Sequence, residues 1–530
     1  MKQFKYISIL AAMVIVMVAS CTKDLDVTPI DENIIVSSNL KDREGAMLQT
    51  LAKLYSSFSV PGQEGTGSPN GDISGIDNGF GVYTRALWMA QELTTDEALC
   101  SWNDQTIKDY HWHTWTPTDV FVTAMYARII YTVSICNEFI RNSAGSDDPE
   151  IIRYNSEARF LRALAYYHAI DMFGNPAFIT EADKPGSFFP KQTTRQELFN
   201  YVESELKAIE STLGEPRFEY GRADKAAAWM LLARLYLNAE VYTGTSKWAD
   251  CITYSDKVIN AGYILEPNYR LNFSANNHTS REMIFAITCD GMYTQSYGGT
   301  TYIIHAAAGD KILPATLGIG GPWSGNRTTK EFVNVLVDTV AYPKLDSDPT
   351  FSRVKDTRVY IRLLQNWDIY NVGTFSDGIG VYKYTNLNHD DSPAEHPHND
   401  FTSTDFPIFR LADAYLMRAE ALLRSGGDRA AALNDVNTVR GRAFKGPSGN
   451  IQDNQLTLDF ILDERGRELY WESVRRTDLI RYNKFTTNAY LWAWKGNAYR
   501  GQASESYRNL FPIPGAEVAA NPNIKQNTGY

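Results

Sequence analysis

Helical hydrophobic periodicity recurs along this chain and constrains its fold more than any other feature. Apolar residues repeat at helical spacing in seven segments, several of which begin at a capping residue or end at glycine or proline. These segments are 118–143, 149–176, 195–214, 222–244, 247–263, 407–427 and 428–443. They predict a mainly α fold.

Two pairs of these helical segments share a pattern of small residues. In each pair the first helix places alanines beside leucine and tyrosine, and a second helix follows after a short turn. Small residues let helices approach closely, and a period of roughly 34 residues is typical of tetratricopeptide repeats. The residues of the pattern are Ala227, Ala233, Tyr236, Ala414, Ala419 and Ala421. We therefore predict a scaffold of tetratricopeptide-like helical hairpins.

Residues 60–115 and 264–406 differ from the helical segments in composition. Gly, Asn, Ser, Asp and aromatic residues dominate 264–406, and the stretch 60–82 is also loop-like. Short runs at 281–288 and 300–306 predict strands. Long irregular segments in a compact protein are often functional. We expect irregular, loop-rich insertions with a few short strands on the helical scaffold.

The chain begins with an apolar run that stops at Cys21. The run is shorter than the ~20 apolar residues that span a bilayer, and it fits a secretory signal peptide. The residues Val-Ala-Ser-Cys at 18–21 resemble a bacterial lipobox, whose cysteine receives a lipid; an ordinary cleaved signal is the alternative. We predict a lipoprotein signal peptide at 1–20, lipid attachment at Cys21, a tether at 21–40 and one functional domain at 41–530.

The formal net charge of −11 limits the kinds of partner. An acidic chain is poorly suited to binding nucleic acid through its phosphates. It also means that a membrane anchor must be lipid and not a basic patch. Because no second long apolar run is evident, we expect a protein that is anchored to a membrane without spanning it.

The sequence lacks the motifs of common enzyme classes. It contains no G-x-S-x-G, no H-E-x-x-H and no phosphate-binding loop. Asp96 and Glu97 are candidates for a glycoside hydrolase, which needs two separated carboxyl groups. Capping or ion pairing is more typical of adjacent acids. We predict a protein that is not an enzyme, with a hydrolase using Asp96 and Glu97 as the alternative from another class.

Candidate metal ligands are too sparse to predict a metal site. His111 and His113 would share a strand face, but no third ligand is near, so packed structural histidines are favoured. The stretch 389–400 is more typical of a solvated loop than of a weak metal site. Its candidate ligands are His389, Asp390, Asp391, His396, His398 and Asp400. Four cysteines match no zinc or redox spacing and predict buried, reduced thiols: Cys100, Cys136, Cys251 and Cys289.

The segment 461–485 is dense in opposite charges at helical spacing. Glu464, Glu468 and Glu472 lie on one stripe of the predicted helix. The surrounding arginines are Arg465, Arg467, Arg475, Arg476 and Arg481. An anion site is one interpretation. We favour a partly buried ion-pair network that fixes the last helices.

Three aromatic residues stand among glycines and polar residues. Trp102 is followed by polar residues, Tyr297 lies between polar and glycine residues, and Trp323 lies in a glycine-rich loop. Exposed rings of this kind stack on the C–H face of a sugar, while amides, carboxylates and guanidinium groups bind its hydroxyls. On these residues alone, packing of each ring into its own subdomain remains the alternative.

Several motifs together resemble the SusD/RagB family of Bacteroidetes surface lipoproteins. They are IFRLADAYLMRAEAL, ERGRELYWESVRRTDLIRY and the terminal LFPIPGAEVAANPNIKQNTGY. The stretches TTDEALCSW, YGGTTY and WSGNR are similar to starch-binding members. The resemblance runs over nearly the whole chain. It implies a tetratricopeptide-like fold, glycan binding without catalysis, and assembly with a SusC-like TonB-dependent transporter in the outer membrane.

The resemblance also implies a site for α-1,4-glucan, that is, starch or malto-oligosaccharides. By motif, the aromatic arc is Trp102, Tyr297 and Trp323, and the polar contacts are Arg85, Asn103 and Asp104, with Gln105 as a further alternative. Starch-binding members carry an acidic, calcium-linked loop, but the matching loop here, FSANNHTSREMI, has few acids, so we expect no metal or other cofactor. A family member that binds another glycan or a peptide is the alternative.

Overall fold

The structure, a computed structural model, describes residues 45–64, 70–183, 186, 188–337 and 351–530. The predicted signal peptide, Cys21 and the tether lie outside the described residues. The chain divides into two units, Met1–Leu48 and Gln49–Tyr530, and apart from residues 46–48 everything below concerns the second.

Sixteen α-helices account for most of the regular structure in the described part of the chain. They are α1 Ala46–Ser56, α2 Tyr83–Glu92, α3 Gln105–Trp112, α4 Val120–Ser143, α5 Pro149–Met172, α6 Arg195–Ile209, α7 Lys225–Leu237, α8 Ala239–Thr243, α9 Trp248–Ile259, α10 Gly299–Ala307, α11 Lys330–Leu336, α12 Leu411–Ser425, α13 Arg429–Ala443, α14 Leu458–Leu469, α15 Arg475–Arg481 and α16 Gly515–Ala520. A helix lies in each of the seven periodic segments, which confirms the prediction of a mainly α fold.

The helices pack as successive hairpins. Helix α4 packs on α5, α5 on α6, α7 on α9, and α12 on both α9 and α13. The alanines Ala227, Ala233, Ala414, Ala419 and Ala421 are all fully buried. Their small side chains allow the close helix contacts that the sequence pattern predicts. The hairpin scaffold is therefore confirmed.

Helix α4 is long and apolar enough to cross a membrane by length and composition, contrary to the expectation that no second long apolar run is present. However, 61% of its most apolar window is buried inside the protein. Its N-terminus is capped by Asp119, whose carboxylate accepts hydrogen bonds from the backbone N–H groups of Phe121 and Val122. These features are those of a core helix.

Eight short strands of the described residues pair as four antiparallel two-stranded sheets. The pairs are β1 Leu99–Cys100 with β5 Asn326–Arg327, β2 Ala177–Phe178 with β3 Lys191–Gln192, β4 Met283–Ile287 with β8 Phe406–Arg410, and β6 Ile361–Leu363 with β7 Ile379–Val381. Strand β4 confirms the prediction at 281–288. The β1–β5 pair joins the two loop-rich insertions.

Two predictions of secondary structure are wrong. Residues 300–306 lie in helix α10 and not in a strand. All nine residues of α10 are buried, and a short, uniformly apolar run does not distinguish a strand from a buried helix. Residues 407–410 belong to β8, because they pair with β4, and the helix begins only at Leu411.

The predicted ion-pair network is confirmed and is more deeply buried than expected, but Glu472 does not lie on the same helical stripe, because α14 ends at Leu469. Glu464 and Glu468 are both fully buried, and Arg358 bridges them with Nη1–Oε distances of 2.8 and 3.1 Å. Burial alone would raise the pKa of Glu468, but Arg442, Arg410 and Arg358 outweigh it and lower the pKa to about 2. The network ties α14 to β8, α13 and the loop before β6.

Candidate functional site

The β1–β5 pair places Trp102 against the loop that carries Trp323. Ser101 follows β1, and its N–H donates to the Gly325 carbonyl at 2.9 Å while its hydroxyl donates to the Ser324 carbonyl at 2.7 Å. The indole N–H of Trp102 donates to the Trp323 carbonyl at 3.0 Å. Two tryptophans that are 221 positions apart in the sequence are thereby fixed side by side.

Gly325 allows the Trp102 ring to lie against the backbone. A Cβ atom added at this position would come within 2.9 Å of Cε2 and 3.1 Å of Nε1 of Trp102. These separations are shorter than ordinary van der Waals contact, so any side chain would displace the indole. The position of Trp102 therefore depends on a glycine in the partner segment.

Helix α10 supports the loop of Trp323 from behind. The backbone N–H of Trp323 donates to the His305 carbonyl at 2.9 Å, and the N–H of Gly325 donates to the Ala306 carbonyl at 2.8 Å. The imidazole of His305 stacks on the Trp323 ring, with centroids 4.7 Å apart and an interplanar angle of 26°. Burial lowers the pKa of His305, which keeps this supporting ring neutral at pH 7.

Tyr297 completes a row of three rings in which Trp323 is central. The ring centroids are 6.4 Å apart for Trp102 and Trp323, with an interplanar angle of 46°. They are 6.1 Å apart for Tyr297 and Trp323, with an angle of 60°. Tyr297 is 38% exposed and is backed by the Phe401 ring at 5.2 Å. Because each ring is tilted against the next, the row presents faces that change direction along its length.

Arg85, from helix α2, reaches both ends of this row, at Tyr297 and at Trp102. Its Nη1 donates to the Tyr297 carbonyl at 2.9 Å, and its guanidinium carbon lies 4.2 Å from the Tyr302 ring centre and 5.8 Å from that of Trp102. Burial lowers the pKa of the Arg85 guanidinium. Its Nε has no hydrogen-bond partner among the described residues. That Nε is buried, so a ligand can be reached only by the terminal nitrogens of the guanidinium.

The polar residues after Trp102 are all exposed. Lys108 donates from Nζ to Oδ1 of Asn103 at 2.6 Å, which leaves the amide nitrogen of Asn103 available as a donor. Asp104 precedes α3 and makes no side-chain capping bond. Gln105 donates one amide N–H to Asp109 at 3.0 Å, and its second N–H is not used by that bond. The structure thus brings the three predicted rings and Arg85 together, with Asn103 and Asp104 beside Trp102.

Sequence reasoning missed the residues that support the rings. Tyr302 and His305 lie one turn apart on α10, behind Arg85 and Trp323 respectively. A helical interpretation of 300–306 would have placed Tyr302 and His305 on one face. The strand prediction placed them on opposite faces instead. Phe401 is far from Tyr297 in the sequence, and no sequence signal indicates their contact.

Asp96 and Glu97 are buried away from solvent. Both oxygens of Asp96 pair with Arg475, at 2.9 and 2.7 Å, which confirms the ion-pair interpretation. Glu97 accepts the backbone N–H of Trp471 at 2.8 Å, and burial raises its pKa to about 7. At 0% and 1% exposure, neither carboxyl group can contact a polymer at the surface.

His111 and His113 do not share a strand face, so that prediction is wrong. His111 lies in α3, and His113 follows it in the left-handed conformation that ends the helix. Nδ1 of His111 donates to the Leu93 carbonyl, and Nε2 of His113 donates to the Thr94 carbonyl, each at 2.8 Å. Burial lowers their pKa values to about 4 and about 3. They are packed structural histidines, as the favoured interpretation states.

Both histidines His396 and His398 in the stretch 389–400 form hydrogen bonds to other loop residues. His396 binds Asp290 at 2.7 Å, and Nδ1 of His398 accepts the backbone N–H of Asp400 at 3.0 Å. Within the described residues, no three His, Cys, Asp or Glu side chains are grouped to hold a metal ion. The cysteines Cys100, Cys136, Cys251 and Cys289 are unpaired thiols, the first three fully buried.

Comparisons with known proteins identify the family. A model of the SusD family matches residues 370–530. The starch-binding protein SusD of Bacteroides thetaiotaomicron is 36% identical over 568 aligned residues, which cover 99% of this chain and 99% of that protein. The chain belongs to the SusD family. SusD-like protein P2 of Formosa agariphila is 24% identical and covers 77% of this chain and 81% of its own length.

Solved structures of other proteins share the fold. A SusD-like protein from Bacteroides fragilis aligns with a TM-score of 0.70 at 18% identity, over 95% of this chain and 100% of that chain. Surface glycan-binding protein A from Bacteroides thetaiotaomicron, in complex with laminarihexaose, aligns with a TM-score of 0.65 at 20% identity, over 91% and 99%. The SusD-like helical fold is therefore established for this chain.

Proposed function

We propose that this protein is a non-catalytic glycan-binding lipoprotein of the cell surface that captures starch or malto-oligosaccharides. The observation that carries the proposal is the row of Trp102, Trp323 and Tyr297, whose rings lie 6.1–6.4 Å apart with successive tilts of 46° and 60°. The identity of 36% with a starch-binding protein over the whole chain supports the same ligand.

The geometry of the row favours a curved ligand. An α-1,4-glucan winds as a helix, so its successive sugar rings change direction along the chain, as the tilted aromatic faces also do. A flat β-glucan would contact one ring and miss the next. Arg85, Asn103 and Asp104 lie beside the row and supply hydrogen bonds to sugar hydroxyls.

The expected affinity is modest. At roughly 1 kcal/mol for each stacked ring, with a few hydrogen bonds, the dissociation constant falls between micromolar and millimolar. Weak binding suits a protein that passes its ligand onward. We propose that the recipient is a SusC-like TonB-dependent transporter, on which the helical scaffold docks. Co-purification of such a transporter with the tagged full-length protein tests this step, and its absence from the eluate contradicts it.

The location follows from the N-terminal sequence and the family. We propose that Cys21 is acylated after removal of residues 1–20, that residues 21–40 form the tether, and that the protein faces outward from the outer membrane. Protease treatment of intact cells tests the orientation. Full protection of the protein would contradict surface display.

Titration calorimetry of the protein from residue 22 onward tests the ligand. We expect binding of maltoheptaose and a cyclodextrin, no binding of cellohexaose, and binding of maltoheptaose weakened by roughly two- to twelvefold or more in Trp102→Ala and in Trp323→Ala. Tyr370→Ala is a matched control, because Tyr370 is 61% exposed and makes no ring contact with the row. Equal loss in the control variant would refute the site.

A parallel titration with laminarihexaose distinguishes starch from another glycan as the ligand. The fold neighbour in complex with laminarihexaose shows that a protein of this fold can hold a different glucan linkage. Binding of laminarihexaose without maltoheptaose would assign another glycan to the same surface. The hydrolase alternative is disfavoured by the burial of Asp96 and Glu97, and product release from maltoheptaose would be needed to revive it.

A further inference from the structure

A second concave site lies apart from the aromatic row. It is a cavity of about 360 Å³ between strands β6 and β7 and the segment 311–317. None of its lining residues belongs to the row or to its supports. Its volume falls within the range of small-ligand pockets, ~300–1,000 Å³.

Two tyrosines and aliphatic side chains form the apolar part of this cavity. The rings of Tyr360 and Tyr382 meet edge to face, with centroids 5.7 Å apart and an interplanar angle of 90°. Ile312, Leu317 and Ile361 are buried beside them. Within the described residues, neither tyrosine hydroxyl has a hydrogen-bond partner, and burial raises the pKa of Tyr360 to about 12. Both hydroxyls are therefore neutral donors available to a ligand.

The charged residues of the cavity are mostly cationic. They are Arg270, Lys311, Arg362 and Asp391, three positive charges and one negative. Arg270 pairs with Asp391 at 2.7 Å, and Lys311 donates to the Leu364 carbonyl. The exposed guanidinium of Arg362 has neither a hydrogen bond nor an ion pair with any described residue. This surplus of two positive charges occurs in a chain whose net charge is −11.

We propose that this cavity is a second ligand site, for a small sugar that carries a carboxylate or a phosphate group. The aromatic and aliphatic walls suit the C–H faces of one or two sugar rings. The planar guanidinium of Arg362 matches the paired oxygens of a carboxylate or phosphate, and Lys311 adds a second cation. The neutral ligand of the aromatic row has no group that would use these charges. The two sites therefore bind different classes of sugar.

Calorimetry at low ionic strength tests the second site with defined probes. The probes are glucose 6-phosphate, glucuronate, glucose and inorganic phosphate. We expect at least one of the two anionic sugars to bind, with glucose and phosphate each weaker by about tenfold or more. Comparison of glucose 6-phosphate with glucuronate identifies which anionic group the site takes. Added salt should weaken binding, because Arg362 and Lys311 are exposed.

Variants connect the binding to the cavity. Arg362→Gln and Lys311→Gln should each weaken binding of the anionic sugar by about tenfold. Because both positions are exposed, the fold should be retained in these variants. Arg281→Gln, which changes an exposed arginine outside the cavity, should have no effect. Maltoheptaose binding should be unchanged in all three variants and weakened in Trp102→Ala, which separates this proposal from the starch assignment.

Three results would overturn the proposal. One is the absence of binding by both anionic sugars. Another is binding of glucose or of inorganic phosphate as tight as that of the anionic sugar. Equal binding of glucose would show that the charge is not recognised, and equal binding of phosphate would show that the sugar is not recognised. The last is unchanged affinity for the anionic sugar in both Arg362→Gln and Lys311→Gln.

Discussion

Gly325→Ala should weaken glycan binding although Gly325 need not contact the ligand. The added methyl group would lie 2.9 Å from Cε2 of Trp102, so the indole must move. Movement of the ring breaks its hydrogen bond to the Trp323 carbonyl and removes its alignment with Trp323. The backbone of Gly325 does not occupy the left-handed region, so alanine introduces no strain of its own.

The magnitude follows from the loss of one stacked ring. An aromatic contact contributes roughly 0.5–1.5 kcal/mol, and about 1.4 kcal/mol corresponds to a tenfold change in affinity. We therefore expect Trp102→Ala to weaken maltoheptaose binding by roughly two- to twelvefold or more. Gly325→Ala displaces the ring without deleting it, so its effect should be no larger than that of Trp102→Ala.

A double-mutant cycle measured by titration calorimetry isolates the mechanism. In the Trp102→Ala background, Gly325→Ala should cause no further loss of maltoheptaose affinity, because the ring that the added methyl group would displace is absent. Gly321→Ala is the matched control in the same loop, since a Cβ atom there meets nothing within 4 Å. The reasoning is refuted if the two glycine variants behave alike, or if the effect of Gly325→Ala persists undiminished without Trp102.

Three further predictions concern the polar contact and the buried charges. Arg85→Ala should weaken maltoheptaose binding about tenfold or more in the same calorimetric assay, because a charged donor contributes about 1.5–3 kcal/mol and because Tyr297 loses its bond to Nη1; unchanged affinity would exclude Arg85 from the site. Glu464→Gln should lower the free energy of unfolding in urea by about 3–5 kcal/mol, since it leaves Arg358 buried with less compensation; a loss under about 1 kcal/mol, as for surface pairs, would contradict a buried network. The pKa of Glu468 is about 2 in the folded state, against about 4.3 in an unfolded chain, so its contribution is complete above pH 4.3 and is lost as the pH falls towards 2. Urea unfolding across that interval should show stability falling with pH, less steeply in Glu468→Gln, and a flat profile would count against the shifted pKa.

The helical scaffold was predictable because its causes are local. Apolar residues at helical spacing specify which face of a segment is buried, whatever that face packs against. The buried alanines of α7 and α12 indicate close helix packing for the same reason. The charged stripe around Glu464 likewise indicated ion pairs, because carboxylates and arginines at one helical face seldom remain unpaired. The family motifs named the candidate rings, and this step depended on resemblance and not on periodicity.

The structure of 300–306 and the position of His113 could not be obtained in this way. A short apolar run is compatible with a strand or with a buried helix, and only the packing of α10 behind Trp323 decides between them. His111 and His113 alternate in the sequence as strand residues do, but α3 ends between them in a left-handed turn. In both cases the tertiary environment outweighs the local pattern.

The sequence by itself determined the class of fold, the family and the identity of the residues that make up the aromatic row. Only the tertiary structure decided that these residues meet, because the β1–β5 pairing brings together segments more than two hundred positions apart. It also decided the tilt of each ring and therefore the shape of ligand that the row can follow. The cavity at Tyr360 and Arg362 has no sequence signature, since its walls come from several segments that are separated in the sequence.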